Sequence, residues 1–202
     1  ERVLRDLRIN RIIEGTTDIM HLFIAREALD PHLSKMKPLL TGKTSIGEKI
    51  SAALKMAAYY ATWYPSLWLP ALATPNITNL PAPLDEHMMY VQRASKRLAR
   101  YTFHQMAKYQ QKLESKQSIL NRVVDIGTEL FAISASCSYA AMLKKNGQDN
   151  AVDLADSFCV QARKRIETTF NDNCSNNDKA DLKITKNILA GQFEWMETEI
   201  IK

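Results

Sequence analysis

Apolar residues recur at steps of three and four along almost the whole chain, and that spacing predicts helices nearly everywhere. Arg2–Ile12 reads as a first helix, broken at Glu14-Gly15-Thr16-Thr17. A second starts from the threonines, whose hydroxyls can cap free N–H groups, runs through Ile19, Leu22, Phe23 and Arg26, and is expected to stop before Pro31. After a turn around Lys37, Pro38 and Gly42, the stripe Ile46, Ile50, Ala53, Ala57, Tyr60, Tyr64 marks a third. Pro65, Pro70, Pro75, Pro81 and Pro83 then predict a long apolar loop. Four further stripes follow: Leu84 to Leu113, Ile119 to Ala140 with Asn146-Gly147 as a stop, Val152 to Phe170, and Leu182 through Phe193 and Met196 to Ile200. The expectation is an all-α fold, an antiparallel helical bundle with short connections.

Composition narrows this little. With 46% hydrophobic and 24% charged residues the chain suits a packed soluble protein. A net charge of +5 is too modest to select an acidic partner. The three cysteines, Cys137, Cys159 and Cys174, form no C-x-x-C pair and point to a reducing compartment. No apolar run uninterrupted by proline looks long enough to span a bilayer. The chain opens on Glu1 inside a helical run, with neither methionine nor leader, and reads as part of a longer protein.

Chemistry concentrates at Glu14. A carboxylate stands on a helix-to-helix turn beside Gly15, where a ligand can approach the backbone closely. A helix start follows, favourable to anionic groups. Proton abstraction beside a phosphate-bearing cofactor would use these parts, although a Glu-Gly-Thr turn between helices is usually only a surface turn.

The surrounding residues are more specific. Arg5-Asp6-Leu7-Arg8-Ile9-Asn10-Arg11-Ile12-Ile13-Glu14-Gly15-Thr16-Thr17-Asp18-Ile19, then Leu22-Phe23-Ile24-Ala25-Arg26-Glu27, resembles the segment R-D-x-R-I-x-x-I-[FY]-E-G-T-[NS]-x-I of the acyl-CoA dehydrogenases. The resemblance implies that Glu14 is the catalytic base, removing the α-proton of a fatty acyl-CoA thioester as hydride passes to FAD, with electron-transferring flavoprotein as electron acceptor. It further implies that Gly15 and Arg26 contact substrate and that Thr16 and Asp18 contact FAD. Ile13 departs from the family's aromatic, which bears on the acyl pocket, and Thr17 departs from Asn or Ser while keeping a capping hydroxyl.

The helical extent of residues 39–202 resembles the extra C-terminal domain of the very-long-chain members. Residues 1–38 would then end the catalytic helical domain, and 39–202 would be the helical-bundle extension. A homodimer in the bacterial cytoplasm or in mitochondria is implied, inactive as this chain alone, with peripheral membrane contact through the extension. The alternative is a non-catalytic helical module for dimerisation or membrane-surface attachment.

The remaining candidates read as structural. His21, His32, His87 and His104 lack metal-ligand spacing. Arg93, Lys96, Arg97, Arg100, Lys108 and Lys112 read as a solvated basic face, with no nucleic acid expected as partner. Trp63, Trp68 and the proline-rich loop are expected to pack over the bundle or against a further domain, with an interfacial lipid contact as the lesser option.

Overall fold

The computed structural model describes residues 1–13, 15–40, 45–69 and 80–196. Within them lie seven α-helices and no strand: α1 (Arg2–Ile9), α2 (Thr17–Leu40), α3 (Ile46–Ser66), α4 (Ala82–Tyr109), α5 (Gln117–Lys145), α6 (Ala151–Asp172) and α7 (Asp178–Leu189). The all-α expectation holds. Most of the proline-rich loop, the turn at Gly42 and the chain's last six residues fall outside the described residues.

Local chemistry explains several helix ends. Ser45 and Glu48 form a reciprocal capping box at the start of α3, with Glu48 N–H donating to Ser45 Oγ at 3.3 Å and Ser45 N–H to Glu48 Oε2 at 3.0 Å. Pro81 and Pro83 open α4, where missing N–H groups cost nothing. At the end of α5, Gly147 adopts φ +88°, Gln148 N–H donates to Leu143 O at 3.1 Å and Gly147 N–H to Lys144 O at 3.0 Å, a Schellman motif.

Four expectations are corrected. Helix α2 does not stop before Pro31 but runs through it to Leu40. A mid-helix proline costs about 3 kcal/mol. Packing on both sides of it, at Ala25 and Leu29 against α5 and at His32 against α3, offsets that cost. The α4 stripe does not continue regularly to Leu113: Gln110, at φ +48°, breaks the helix, and a 3-10 turn over Gln110–Ser115 delivers Leu113 to the core instead. The last helix ends at Leu189, because Gly191 at φ +74° closes a second Schellman motif, with Gln192 N–H donating to Asn187 O at 3.0 Å. Finally, α5 is long and apolar enough to cross a membrane by length and composition. Here Ile119, Leu120, Val124, Ile126, Leu130, Ile133, Cys137 and Ala140 are buried in the protein interior, while Phe131, Tyr139 and Met142 are exposed.

Helix α5 is the hub, contacting α2, α4 and α6. Its row Ile126, Leu130, Ile133, Cys137, Ala140 packs against Ala151, Val152, Ala155, Cys159, Ala162, Ile166 and Phe170 of α6 and against Leu84, Tyr90 and Ala94 of α4. Small residues at Ala151, Ala155, Cys159 and Ala162 let the backbones approach closely. Partner numbering fixes direction. Cys137 meets Cys159 and Glu129 meets Arg165, so α5 and α6 are antiparallel; His87 meets Asp156 and Arg97 meets Glu167, so α4 runs parallel to α6.

Polar clamps lie at the edges of this core. His87, 2% exposed, sits between Asp156 Oδ1, 2.8 Å from Nε2, and Arg163 Nη1, 3.3 Å from Nδ1. Tyr90 and Arg97 both donate to Glu167 at 2.7 Å. Burial pushes Glu167 up, but these hydrogen bonds together hold its carboxyl below the usual range. Arg122 grips Asp178 with two hydrogen bonds of 3.0 and 2.6 Å and donates to Asn173 Oδ1, tying the start of α7 to α5.

Candidate functional site

The segment singled out by sequence is the α1–α2 connection. After Ile9 the chain turns, with Ile12 and Ile13 N–H groups both donating to Ile9 O. Thr17 N–H donates back to Arg11 O at 3.3 Å, closing the connection onto the end of α1. The first regular bond of α2 runs from Met20 N–H to Thr16 O at 3.0 Å.

Glu14 itself lies outside the described residues. Gly15, next to it, holds φ +102°, a conformation that favours glycine, and an added Cβ would stand 3.1 Å from Met20 Sδ. Thr16 and Asp18 are exposed at the α2 start, Asp18 in the first turn. Arg26 is also exposed, about 12 Å along the axis from Asp18 at the helical rise. The structure therefore gathers Gly15, Thr16 and Asp18 at one helix end and sets Arg26 two turns away.

Two faces of α2 differ in kind. His21, Ala25, Leu29 and His32 face the bundle: Ala25, 1% exposed, and Leu29 enter a second core cluster with Leu113, Ile119, Leu120 and Val124. Ile19, Phe23 and Arg26, at helical spacing, face outward, as do Ile12 and Ile13 before the turn. The outward side thus mixes exposed Ile19 and Phe23 with Arg26, Glu27 and Asp30, on the same helix as the Gly15–Asp18 turn.

Below this face an aromatic cluster joins α2, α3 and α4. His32 Nδ1 lies 2.8 Å from the Tyr60 hydroxyl, and burial, then the neighbouring Lys35 charge, lower the His32 pKa. Trp63 stands edge-on to His32 and to Phe103, and Tyr64 bonds His104 Nε2 at 2.8 Å. All four histidines thus sit in cross-helix contacts, as structural residues do; His21, with Nδ1 3.8 Å from Asp125 Oδ1, is the one nearest the turn.

The basic set on α4 is not simply solvated. Arg97 pairs with Glu167, Lys96 Nζ donates to Leu69 O at 3.2 Å, and Arg100 donates to Leu67 O while its guanidinium lies 4.4 Å from the Trp68 ring centre. These cations pin residues 67–69 over the bundle, burying Leu67 and leaving Trp68 61% exposed.

Comparison with known proteins defines the class: this helical bundle and the segment before it correspond to the C-terminal part of an acyl-CoA dehydrogenase. The family model "ACAD9/ACADV, C-terminal domain" matches residues 82–193, from the start of α4 past α7, and the chain belongs to that family. It is 41% identical over its full length to the probable acyl-CoA dehydrogenase FadE10 of Mycobacterium tuberculosis (H37Rv). It is 30% identical to the human mitochondrial very long-chain specific acyl-CoA dehydrogenase over 82% of the chain. The rat counterpart is 28% identical over 90% of the chain. The chain spans 31% of the mycobacterial relative's length and 25% of the human one's.

Proposed function

We propose that this chain completes a flavin-dependent acyl-CoA dehydrogenase that converts fatty acyl-CoA to trans-2-enoyl-CoA in β-oxidation, with Glu14 as the base. The observation that carries the proposal is the order of parts: the Arg5–Glu27 pattern around Glu14 stands directly before a bundle of the ACAD9/ACADV type. Residues 1–38 are then the end of the catalytic domain and 39–202 the extension.

Glu14 accepts the proton α to the thioester, and its backbone N–H stabilises the charge that develops on the carbonyl oxygen. Gly15 lets the thioester lie close to the backbone, and Arg26 assists on the outward face of α2. Acceptance of the β-hydride is the chemistry that bound FAD would supply. The hydroxyl of Thr16, the carboxylate of Asp18 and the exposed start of α2 suit its polar edge. Electron-transferring flavoprotein is the expected electron acceptor, and a homodimer in bacterial cytoplasm or mitochondria the expected form. Most contacts to FAD and CoA belong to segments outside this chain, so the chain alone is expected to be inactive. Glu14→Gln in the full-length enzyme should retain flavin and lose turnover by a factor of about 10² to 10⁴.

A second reading, attachment of the extension to a membrane surface, is favoured by Trp68 and Leu69, both exposed beside the α4 cations. The chain should co-sediment with vesicles rich in anionic lipid, and Trp63→Ala/Trp68→Ala should weaken this severalfold. Absence of binding to such vesicles would eliminate that attachment.

A further inference from the structure

The bundle-facing stripe of α2 has an apolar middle and an imidazole at each end. Ala25 and Leu29 pack among Leu113, Ile119, Leu120 and Val124. Beyond Leu29, His32 reaches Tyr60 on α3 at 2.8 Å. Before Ala25, His21 reaches Asp125 on α5, Nδ1 to Oδ1 3.8 Å, its side chain 19% exposed and that of Asp125 50%. His21 lies in the second turn of α2, and Asp125 directly follows Val124, whose side chain is in the Ala25 cluster.

Contacts between short aliphatic side chains hold two helices together but are weakly directional, and they tolerate small rotations of one helix on the other. A polar side-chain contact at one end of such a row adds direction and register. The C-terminal half of α2 has such a restraint at His32. Its N-terminal half, which carries Gly15, Thr16 and Asp18, has one at His21.

We propose that Asp125, acting through His21, is a positioning residue for the α2 start: it fixes the rotation of the first turns and with it the placement of Gly15, Thr16 and Asp18. This makes the extension part of the site's geometry, and it rests on the reading of that turn as the catalytic segment. The effect is expected to be modest, because a half-exposed His–Asp contact at 3.8 Å contributes little by itself.

The test uses the full-length, flavin-loaded enzyme with Asp125→Asn, His21→Gln, the double variant and Asp125→Glu, read by hydrogen–deuterium exchange and by kinetics with a long-chain acyl-CoA. Both single variants should raise exchange across residues 15–22 by about three- to fivefold and lower kcat by a similar factor at constant KM. Tm and exchange in α5 and α6 should stay unchanged. The double variant should be no worse than either single one, and Asp125→Glu should restore both readouts. Unchanged exchange at 15–22, increased exchange throughout with a lower Tm, or local exchange without a change in kcat would each overturn the proposal. Near-normal turnover of Glu14→Gln would sink the catalytic assignment separately, since the exchange result does not depend on Glu14.

Discussion

Individual side chains here divide into those whose role follows from their own chemistry and those defined by a partner far away in sequence. Cys137 and Cys159 lie 3.7 Å apart, sulfur to sulfur, with no exposure, and burial pushes Cys159 up to about 12. Burial likewise raises Cys137. Both stay protonated thiols at neutral pH and react slowly, whereas Cys174 is exposed. Alkylation of the native protein with a maleimide, read by mass spectrometry, should therefore add one label, and three after unfolding. Asp178 shows the opposite electrostatics: its hydrogen bonds from Arg122 hold its pKa below the ordinary carboxylate value. Its contribution is complete above about pH 4 and is lost as pH falls through the lower folded value. Asp178→Asn should cost about 1 kcal/mol at pH 7 and flatten the acid limb of the stability curve, as thermal melts between pH 3 and 7 would register. The sequence marked the buried cysteines through their place on apolar stripes. It held no sign of Arg122 with Asp178, or of His21 with Asp125, because such pairs exist only once the helices have packed.

The helices were legible wherever an apolar stripe met a chemical stop, as at Asn146-Gly147, whereas the Ser45–Glu48 capping box went unread. Errors arose where a local rule was outweighed or a signal was passed over. Pro31 is a helix breaker overridden by packing on both sides, while Gly191 is a stop that an apolar stripe running on to Ile200 obscured. Gln110 carried no warning, since its positive φ is imposed by the need to bring Leu113 to the core. The α2–α5 contact depends on the small size of Ala25, which leaves no space for a larger side chain. Ala25→Leu should overpack that cluster and destabilise the protein by about 1–3 kcal/mol, measurable as a lower urea midpoint with little change in m.

At the scale of the whole molecule, two assemblies share α5. One face of it makes the α4–α6 bundle, the part matched by the family model, and its N-terminal half holds α2 with the candidate site. The α4–α6 bundle is therefore continuous with α2, which bears the proposed site, and helix α2 itself runs through position 38, where the sequence suggested a division. The all-α class was readable from periodicity alone. The proposed site was readable only through the family pattern from Arg5 to Glu27, because an isolated Glu-Gly-Thr turn is common on protein surfaces. The outward face with Ile19, Phe23 and Arg26 became visible only when folding showed which side of α2 the bundle leaves uncovered.

The central claim is that the carboxylate beside Gly15 takes a proton from an acyl-CoA. Its most direct test compares the full-length enzyme with its Glu14→Gln variant for flavin content and acyl-CoA dehydrogenation. The variant should show normal flavin content and turnover reduced by about 10² to 10⁴. Turnover within a few-fold of the parent enzyme would contradict it.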